Sequence, residues 1–252
     1  MTSDLFDVSG KTVLVTGGTS GIGAMIAHGL HDRGARVLIT GRNDDALAET
    51  RAAGLTALQA NLSTAEGARA LAEQVASATD TLDVLVNNAG ATWGAPLEEF
   101  PDTAWDRVLK LNVQTPFVLT QTLLPLLTGS ATADNPSRVI MIGSVDGIRV
   151  PRTASYSYSS SKAAVHQLTR HLARDLGPRH VTVNAIAPGP FESKMMAPIL
   201  AELGDEVAAA SPLGRIGRAD DMIGTVVYLA SRAGCYLTGT VIPVDGGIAT
   251  TL

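Results

Sequence analysis

What most constrains this chain is a rhythm. Short runs of Val, Ile and Leu alternate with Gly-rich turns and Ala-rich helical stretches along its whole length. Apolar runs at 12–16, 36–40, 56–59, 82–86, 138–142, 181–187 and 240–244 are too short for helices and read as seven strands. Helical spacing fills the gaps at 22–32, 44–53, 63–77, 105–127, 158–176 and 220–230, with a bend expected near Pro116. Asn43 is the expected cap of the second helix, and Ser63-Thr64-Ala65-Glu66 reads as a capping box opening the third. Strands apolar on both faces suit a parallel sheet covered on both sides. The expected fold is a doubly wound α/β domain with a seven-stranded, mostly parallel sheet and helices on both faces. The stretch 190–218, with several Gly and Pro residues, reads as irregular.

Composition narrows the classes. With 252 residues, 45% of them apolar and 17% charged, the chain can bury a large core. No repeat, tract or linker divides it, so the reading is one domain over residues 1–252. Nineteen basic residues against 24 acidic give a net charge of −5 with no basic cluster, which argues against nucleic acid and anionic membrane as partners. A single cysteine, Cys235, excludes an internal disulfide framework and a multi-thiolate metal site, and it reads as a packing residue. No basic-then-apolar leader and no long apolar run is visible, so the expectation is a soluble, cytoplasmic protein.

Chemistry concentrates at a few points. Thr16-Gly17-Gly18-Thr19-Ser20-Gly21-Ile22-Gly23 follows the first strand and opens the first helix. Glycines there let backbone approach a pyrophosphate, whose charge the helix N-terminus stabilises. The spacing is G-x-x-x-G-x-G rather than G-x-G-x-x-G. Tyr158 and Lys162, four apart at a helix start, share a face. An ammonium ~4 Å from a phenolate, at an effective dielectric of ~20, stabilises it by up to ~4 kcal/mol, or ~3 pK units. Tyr156 has no Lys four residues on. Ser144 follows the fifth strand, where the carboxyl ends of parallel strands gather ligands, and Asn112 lies within the fourth helical stretch.

Taken together, Gly17-x-x-x-Gly21-x-Gly23, Asn87-Asn88-Ala89-Gly90, Asn112, Ser144, Tyr158-x-x-x-Lys162 and Pro188-Gly189 resemble the short-chain dehydrogenase/reductase family over about Lys11 to Gly247. The resemblance implies a single Rossmann-type domain and hydride transfer between a nicotinamide cofactor and a carbonyl or alcohol. It makes Tyr158 the proton donor in reduction, Lys162 the group that lowers its pKa and holds the ribose, and Ser144 the group that orients the carbonyl. Asn112 would hold a water in a proton relay. For the cofactor it implies Gly17, Thr19, Ser20, Gly21, Ile22 and Gly23 at the pyrophosphate, and Asn88, Ala89 and Gly90 at the adenosine ribose. Pro188, Gly189 and Ser193 would flank the nicotinamide. Asn61-Leu62 stands at the adenine contact, where many members carry Asp first.

Beyond the second strand comes Ile39-Thr40-Gly41-Arg42, with no carboxylate until Asp44, so Gly41 leaves room for a 2′-phosphate and Arg42 supplies a matched donor fork. NADPH is therefore the expected cofactor. The strings at 87–96, 138–148 and 188–195 resemble the bacterial 3-oxoacyl reductase branch, including rhamnolipid-type members. The expected substrate is a hydrophobic ketone or acyl thioester, covered by the segment 190–218 with Phe191, Met195, Met196, Ile199 and Leu200, and with Trp93 nearby. The apolar content of the stretches 105–127 and 158–176, with the family resemblance, implies a homotetramer. Alternatives are an alcohol dehydrogenase working oxidatively, which shares every catalytic residue, and a non-catalytic NADP-binding regulator, which would be expected to lack part of the set.

The remaining polar features read as structural. His28, His31, His166, His171 and His180 form no metal-ligand pattern and are expected to be solvated or at helix ends. The acidic pairs Asp44-Asp45, Glu98-Glu99 and Asp220-Asp221 fall at or near helix starts, where the macrodipole favours them.

Overall fold

The computed structural model describes residues 5–193 and 196–251, with backbone only for Pro198 and Ile199. Seven strands form one sheet: β1 (Thr12–Val15), β2 (Arg36–Gly41), β3 (Thr56–Gln59), β4 (Val84–Asn87), β5 (Ser137–Ile142), β6 (Val181–Pro188) and β7 (Val241–Val244). Their spatial order is β3-β2-β1-β4-β5-β6-β7, and every neighbouring pair is parallel. The chain winds outward from β1 to β3, then crosses back to β4 on the other side of β1. Loops leaving β1 and β4 therefore diverge and open a crevice at the carboxyl ends of the strands.

Among the described residues the α-helices are α1 (Gly21–His31), α2 (Asp44–Ala52), α3 (Ala65–Ala78), α4 (Asp102–Leu109), α5 (Thr115–Thr122), α6 (Leu124–Thr128), α7 (Tyr156–Leu176), α8 (Ala197–Ala209), α9 (Ala219–Ala230) and α10 (Ile248–Thr251). Strand residues alternate between two cores. One packs Val13, Val15, Ile39 and Val86 against Ile26 and Leu30 of α1 and Met222 and Val226 of α9. The other packs Leu14, Leu38, Leu85 and Met141 against Leu71 and Val75 of α3, Leu119 of α5 and Val165 of α7. Among the described residues no helix is long and apolar enough to cross a membrane.

Three local expectations need correction. The stretch 105–127 is not one bent helix. α4 passes into a π turn at Lys110–Gln114, where the Thr115 N–H reaches back five residues to the Lys110 carbonyl, before α5 begins. Pro116 cannot donate to the carbonyl four residues back, and Pro125 forces the second break, before α6. The cap of α3 is Thr64, not Ser63: its hydroxyl accepts from Gly67 N at 3.1 Å, so no reciprocal box with Glu66 forms. The segment 190–218 holds the 13-residue α8, interrupted by non-helical geometry at Leu203. Its Pro lies in the first turn, where no donor is needed, so it does not prevent the helix. Asn43 caps α2 as expected, accepting from Ala46 N at 2.8 Å.

Candidate active site

The crevice has one wall made of backbone. After β1, Gly17 and Gly21 take left-handed φ values of +65° and +55°. A Cβ on Gly23 would collide with the Gly17 carbonyl and the Asn88 side chain, so only glycine lets α1 start this close to the turn. Asn88 fastens the turn from β4: its Nδ2 donates to the carbonyls of Thr16 at 2.8 Å and Gly17 at 3.2 Å. Thr16 answers with its hydroxyl, which accepts from Asn88 N and Ala89 N, both at 2.9 Å. Ser20 is the extended N-cap of α1 without a side-chain cap bond, and no acidic residue occupies the first turn. The positive end of this helix is left for an external anion. A Cβ on Gly21 would approach Ser193 to 3.1 Å, which places Ser193 across the crevice from the turn. The Ser193 hydroxyl accepts from Met196 N at 3.2 Å.

At the end of β2, a Cβ on Gly41 would lie 2.6 Å from Thr19, so this glycine keeps the turn and the strand end together. Arg42 is exposed and, among the described residues, its guanidinium has no ion pair. The nearest following carboxylate, Asp44, is held by Gln59 Nε2 at 2.7 Å. Asn61 is exposed and its amide oxygen accepts from Ser63 N at 3.1 Å, while Leu62 is buried in the core. The Leu62 carbonyl accepts from Thr115 Oγ1 at 2.7 Å.

The other wall is made of side chains. Ser144 follows β5 in extended geometry and caps a short turn, its hydroxyl accepting from Asp146 N at 3.1 Å. Tyr158 and Lys162 lie one turn apart at the start of α7. Burial pushes the Tyr158 phenol up to about 12; hydrogen bonding from Ser144 opposes this and the nearby Asp146 carboxylate reinforces it. Lys162 is 5% exposed, and burial pushes its ammonium down to about 8. The Lys162 ammonium donates to the Ile142 carbonyl at 2.7 Å and sits 5.5 Å from the Tyr158 ring centroid, so desolvation dominates the phenol. A phenol so raised stays protonated at neutral pH.

Asn112 is carried by the π turn, a helix irregularity frequent at functional sites. Its amide oxygen accepts from Ala91 N at 2.8 Å, and its Nδ2 donates to Ala91 O and Ser161 Oγ, both at 2.9 Å. Ser161 in turn donates to the Tyr158 carbonyl at 2.7 Å. Both amide protons are engaged within the protein, so Asn112 ties the loop after β4 to the helix carrying Tyr158. Gly90 lies against it: a Cβ there would be 3.2 Å from Asn112 Oδ1. At the end of β6, Gly189 N donates to Val244 O at 3.0 Å, following Pro188.

The expected apolar wall is only partly present. Phe191 is buried with its ring packed on Gly217, where a Cβ would overlap it, so it is a core residue rather than a lining one. Met196 and Leu200 are half-buried; Met195 and the Ile199 side chain lie outside the described residues. Trp93 is exposed, with the Arg107 guanidinium 5.9 Å from its ring. His166 also departs from expectation: it is 4% exposed in the middle of α7, and burial pushes it down to about 4. Among the described residues no cluster of His, Cys, Asp or Glu could hold a metal ion. Ser161, Asp146 and His166 had no sequence signal as site residues; Thr16 was signalled only as the strand end directly before the glycine turn.

A family profile described as enoyl-(acyl carrier protein) reductase matches residues 17–249. The chain belongs to the short-chain dehydrogenase/reductase family. It is 47% identical over 249 residues to the rhamnolipids biosynthesis 3-oxoacyl-[acyl-carrier-protein] reductase of Pseudomonas aeruginosa, covering 96% of this chain and 97% of that one. It is 36% identical to the 3-oxoacyl-[acyl-carrier-protein] reductase FabG of Aquifex aeolicus, covering 96% and 98%. Among solved structures, the Pseudomonas aeruginosa RhlG/NADP active-site complex superposes with a TM-score of 0.93 at 46% identity, covering 97% of this chain and 98% of that one. As a short-chain dehydrogenase/reductase, the chain is an oxidoreductase.

Proposed function

We propose that this short-chain dehydrogenase/reductase is an NADPH-dependent reductase of 3-oxoacyl thioesters or related hydrophobic ketones. The observation that carries the reading is the joint placement of Ser144, Tyr158 and Lys162 at the carboxyl end of β5. The residues present fit the cofactor. The turn admits no Cβ at Gly23, the N-terminus of α1 carries no acidic side chain, and Arg42 presents a free donor fork beyond β2. Gly17, Thr19, Ser20, Gly21, Ile22 and Gly23 would hold the pyrophosphate, with Ala89 and Gly90 beside the ribose. Asn61 would meet the adenine edge, and Pro188, Gly189 and Ser193 would flank the nicotinamide. Bound NADPH supplies the hydride. Ser144 donates a hydrogen bond to the substrate carbonyl, and the Tyr158 hydroxyl gives its proton to the oxygen, becoming a phenolate. Lys162 would neutralise that charge and hold the ribose hydroxyls; Asn112 would keep the loop after β4 fixed to the helix that carries both residues.

The substrate class rests on the similarity to two 3-oxoacyl reductases and on the half-buried Met196 and Leu200 of the segment 190–218, which would cover the site. The apolar Leu109 and Phe117, exposed along α4 and α5, support a homotetramer, and the setting proposed is cytoplasmic. The test is a panel of acetoacetyl-coenzyme A, 3-oxooctanoyl-coenzyme A and short polar ketones, read by loss of NADPH absorbance. The expected order places 3-oxooctanoyl-coenzyme A first in kcat/KM. Consumption with none of them, or a preference for short polar ketones, rejects the proposal. Light scattering giving the mass of one chain at micromolar concentration would reject the tetramer.

A further inference from the structure

Tyr158, Lys162 and His166 follow one another at four-residue intervals along α7 and form a single ridge. Each rung meets the segment leaving β5. Tyr158 faces Ser144, Lys162 donates to the Ile142 carbonyl at 2.7 Å, and His166 reaches the two glycines that bracket Ser144. A Cβ on Gly143 would overlap His166 Nε2. A Cβ on Gly147 would lie 2.9 Å from His166 Cε1 and 2.6 Å from the Lys162 carbonyl carbon. The Gly147 backbone also hydrogen-bonds the ring. The imidazole therefore fills the space that both glycines leave, and the loop Gly143–Gly147 is moulded on it. His166 is 4% exposed and its Nε2 has no hydrogen-bond partner among the described residues. Burying an unpaired ring nitrogen costs stability, so an aliphatic side chain would serve a purely structural role better.

We propose that His166 is a positioning residue for Ser144: wedged between Gly143 and Gly147, it fixes the loop so that the serine hydroxyl meets the Tyr158 phenol. The proposal rests on the reading of Ser144 and Tyr158 as the reacting pair. The ring does not touch the reacting atoms in this arrangement. It acts through two backbone contacts, one on each side of Ser144.

A double-mutant cycle tests it. His166→Leu keeps the bulk and loses the polar contact, and Ser144→Ala removes the group being positioned. Kinetics use 3-oxooctanoyl-coenzyme A with NADPH, alongside NADPH fluorescence titration and thermal melting of each variant. The expected result is a fall in kcat of ~10- to 50-fold for His166→Leu, with KM and the NADPH dissociation constant within about twofold of wild type. In the Ser144→Ala background the same change should cost under about threefold, because nothing remains to position. His166→Asn, which restores a ring-side amide donor, should recover part of kcat. A full His166→Leu effect on top of a slow Ser144→Ala enzyme overturns the proposal and leaves the reading of Ser144 standing. A Ser144→Ala enzyme at wild-type rate overturns that reading, and the positioning role with it. Loss of NADPH affinity and Tm in proportion to kcat in His166→Leu marks a structural residue, which also overturns it.

Discussion

The two walls of the crevice are built from different materials. On the β1 side, Gly17, Gly21 and Gly23 shape the surface, and the polar side chains present, Thr16 and Asn88, are spent on the backbone of the turn itself. On the β5 side, Ser144, Lys162 and His166 are buried polar groups, two of them titratable and both held well below their ordinary pKa by burial. The first wall excludes atoms. The second keeps polar atoms out of water, a cost that hydrogen bonds offset at Ser144 and Lys162 and leave standing at His166 Nε2. A mutation on the first side should therefore act through binding and shape, and one on the second through chemistry and proton balance.

The largest expected effect breaks the second wall alone. Tyr158→Phe removes the hydroxyl while keeping the ring beside Lys162. A proton donor of this kind contributes ~10²- to 10⁴-fold, so kcat should fall by at least that lower figure. NADPH affinity, which depends on the glycine wall, should stay within a few-fold in a fluorescence titration. A variant retaining more than a few per cent of wild-type turnover would remove Tyr158 from the proposed mechanism.

Gly23→Ala is the reciprocal break. Its methyl group would overlap the Gly17 carbonyl and Asn88, and the turn must shift to admit it. Overpacking of this kind costs ~1–3 kcal/mol, and the displaced N–H groups should weaken NADPH binding by ~10-fold or more. The residual enzyme should keep its kcat at saturating NADPH, since the Tyr158 side is untouched. A kcat defect without a binding defect would mean that the two walls are not separable in this way.

Arg42→Asp sharpens the comparison at the edge of the first wall. The exposed guanidinium is the charged group on this side proposed to read the 2′-phosphate, and a charge-assisted contact is worth ~1.5–3 kcal/mol. Wild type should prefer NADPH by ~10- to 150-fold in kcat/KM, and the reversal should bring the ratio to one or below. An unchanged ratio in Arg42→Asp rejects the assignment.

The same contrast explains what the sequence made legible. Strand positions follow from runs such as TVLV and RVLIT, and the glycine wall follows from the residues themselves, because no other side chain permits Gly23 where it is. The side-chain wall was legible only as types and spacing. That Tyr158 and Lys162 share a face is helix geometry, but that Lys162 donates to Ile142 depends on where β5 ends, across 20 residues of chain. His166 looked like any helical histidine until Gly143 and Gly147 were placed against it. The break at the π turn was half legible: Pro116 announced a bend, while the five-residue return of Thr115 to Lys110 is set by tertiary packing.

The smallest expected effect is a pH dependence of stability confined to the second wall. His166 is pushed from 6.5 down to about 4, first by burial, with Lys162 and Arg170 disfavouring the cation further and the Gly147 backbone opposing them. Between those values the unfolded chain binds a proton that the folded chain refuses, so the stability due to the neutral ring is complete above about 6.5 and is lost as pH falls toward about 4. The raised Asp146 carboxyl works the other way, since the folded state takes up its proton first as pH falls. Asp221, held down to about 2 by Arg215, loses its contribution only below the ordinary carboxylate value of 3.8. The His166 share is isolated by difference: wild type should lose ~2–6 °C more in Tm than His166→Leu between pH 7 and pH 4.5. On the glycine wall, Gly23→Ala should leave that difference as it is in wild type. Parallel Tm curves for wild type and His166→Leu would mean that the imidazole is hydrated enough to charge in the folded state, and the second wall would then be less dry than its burial implies.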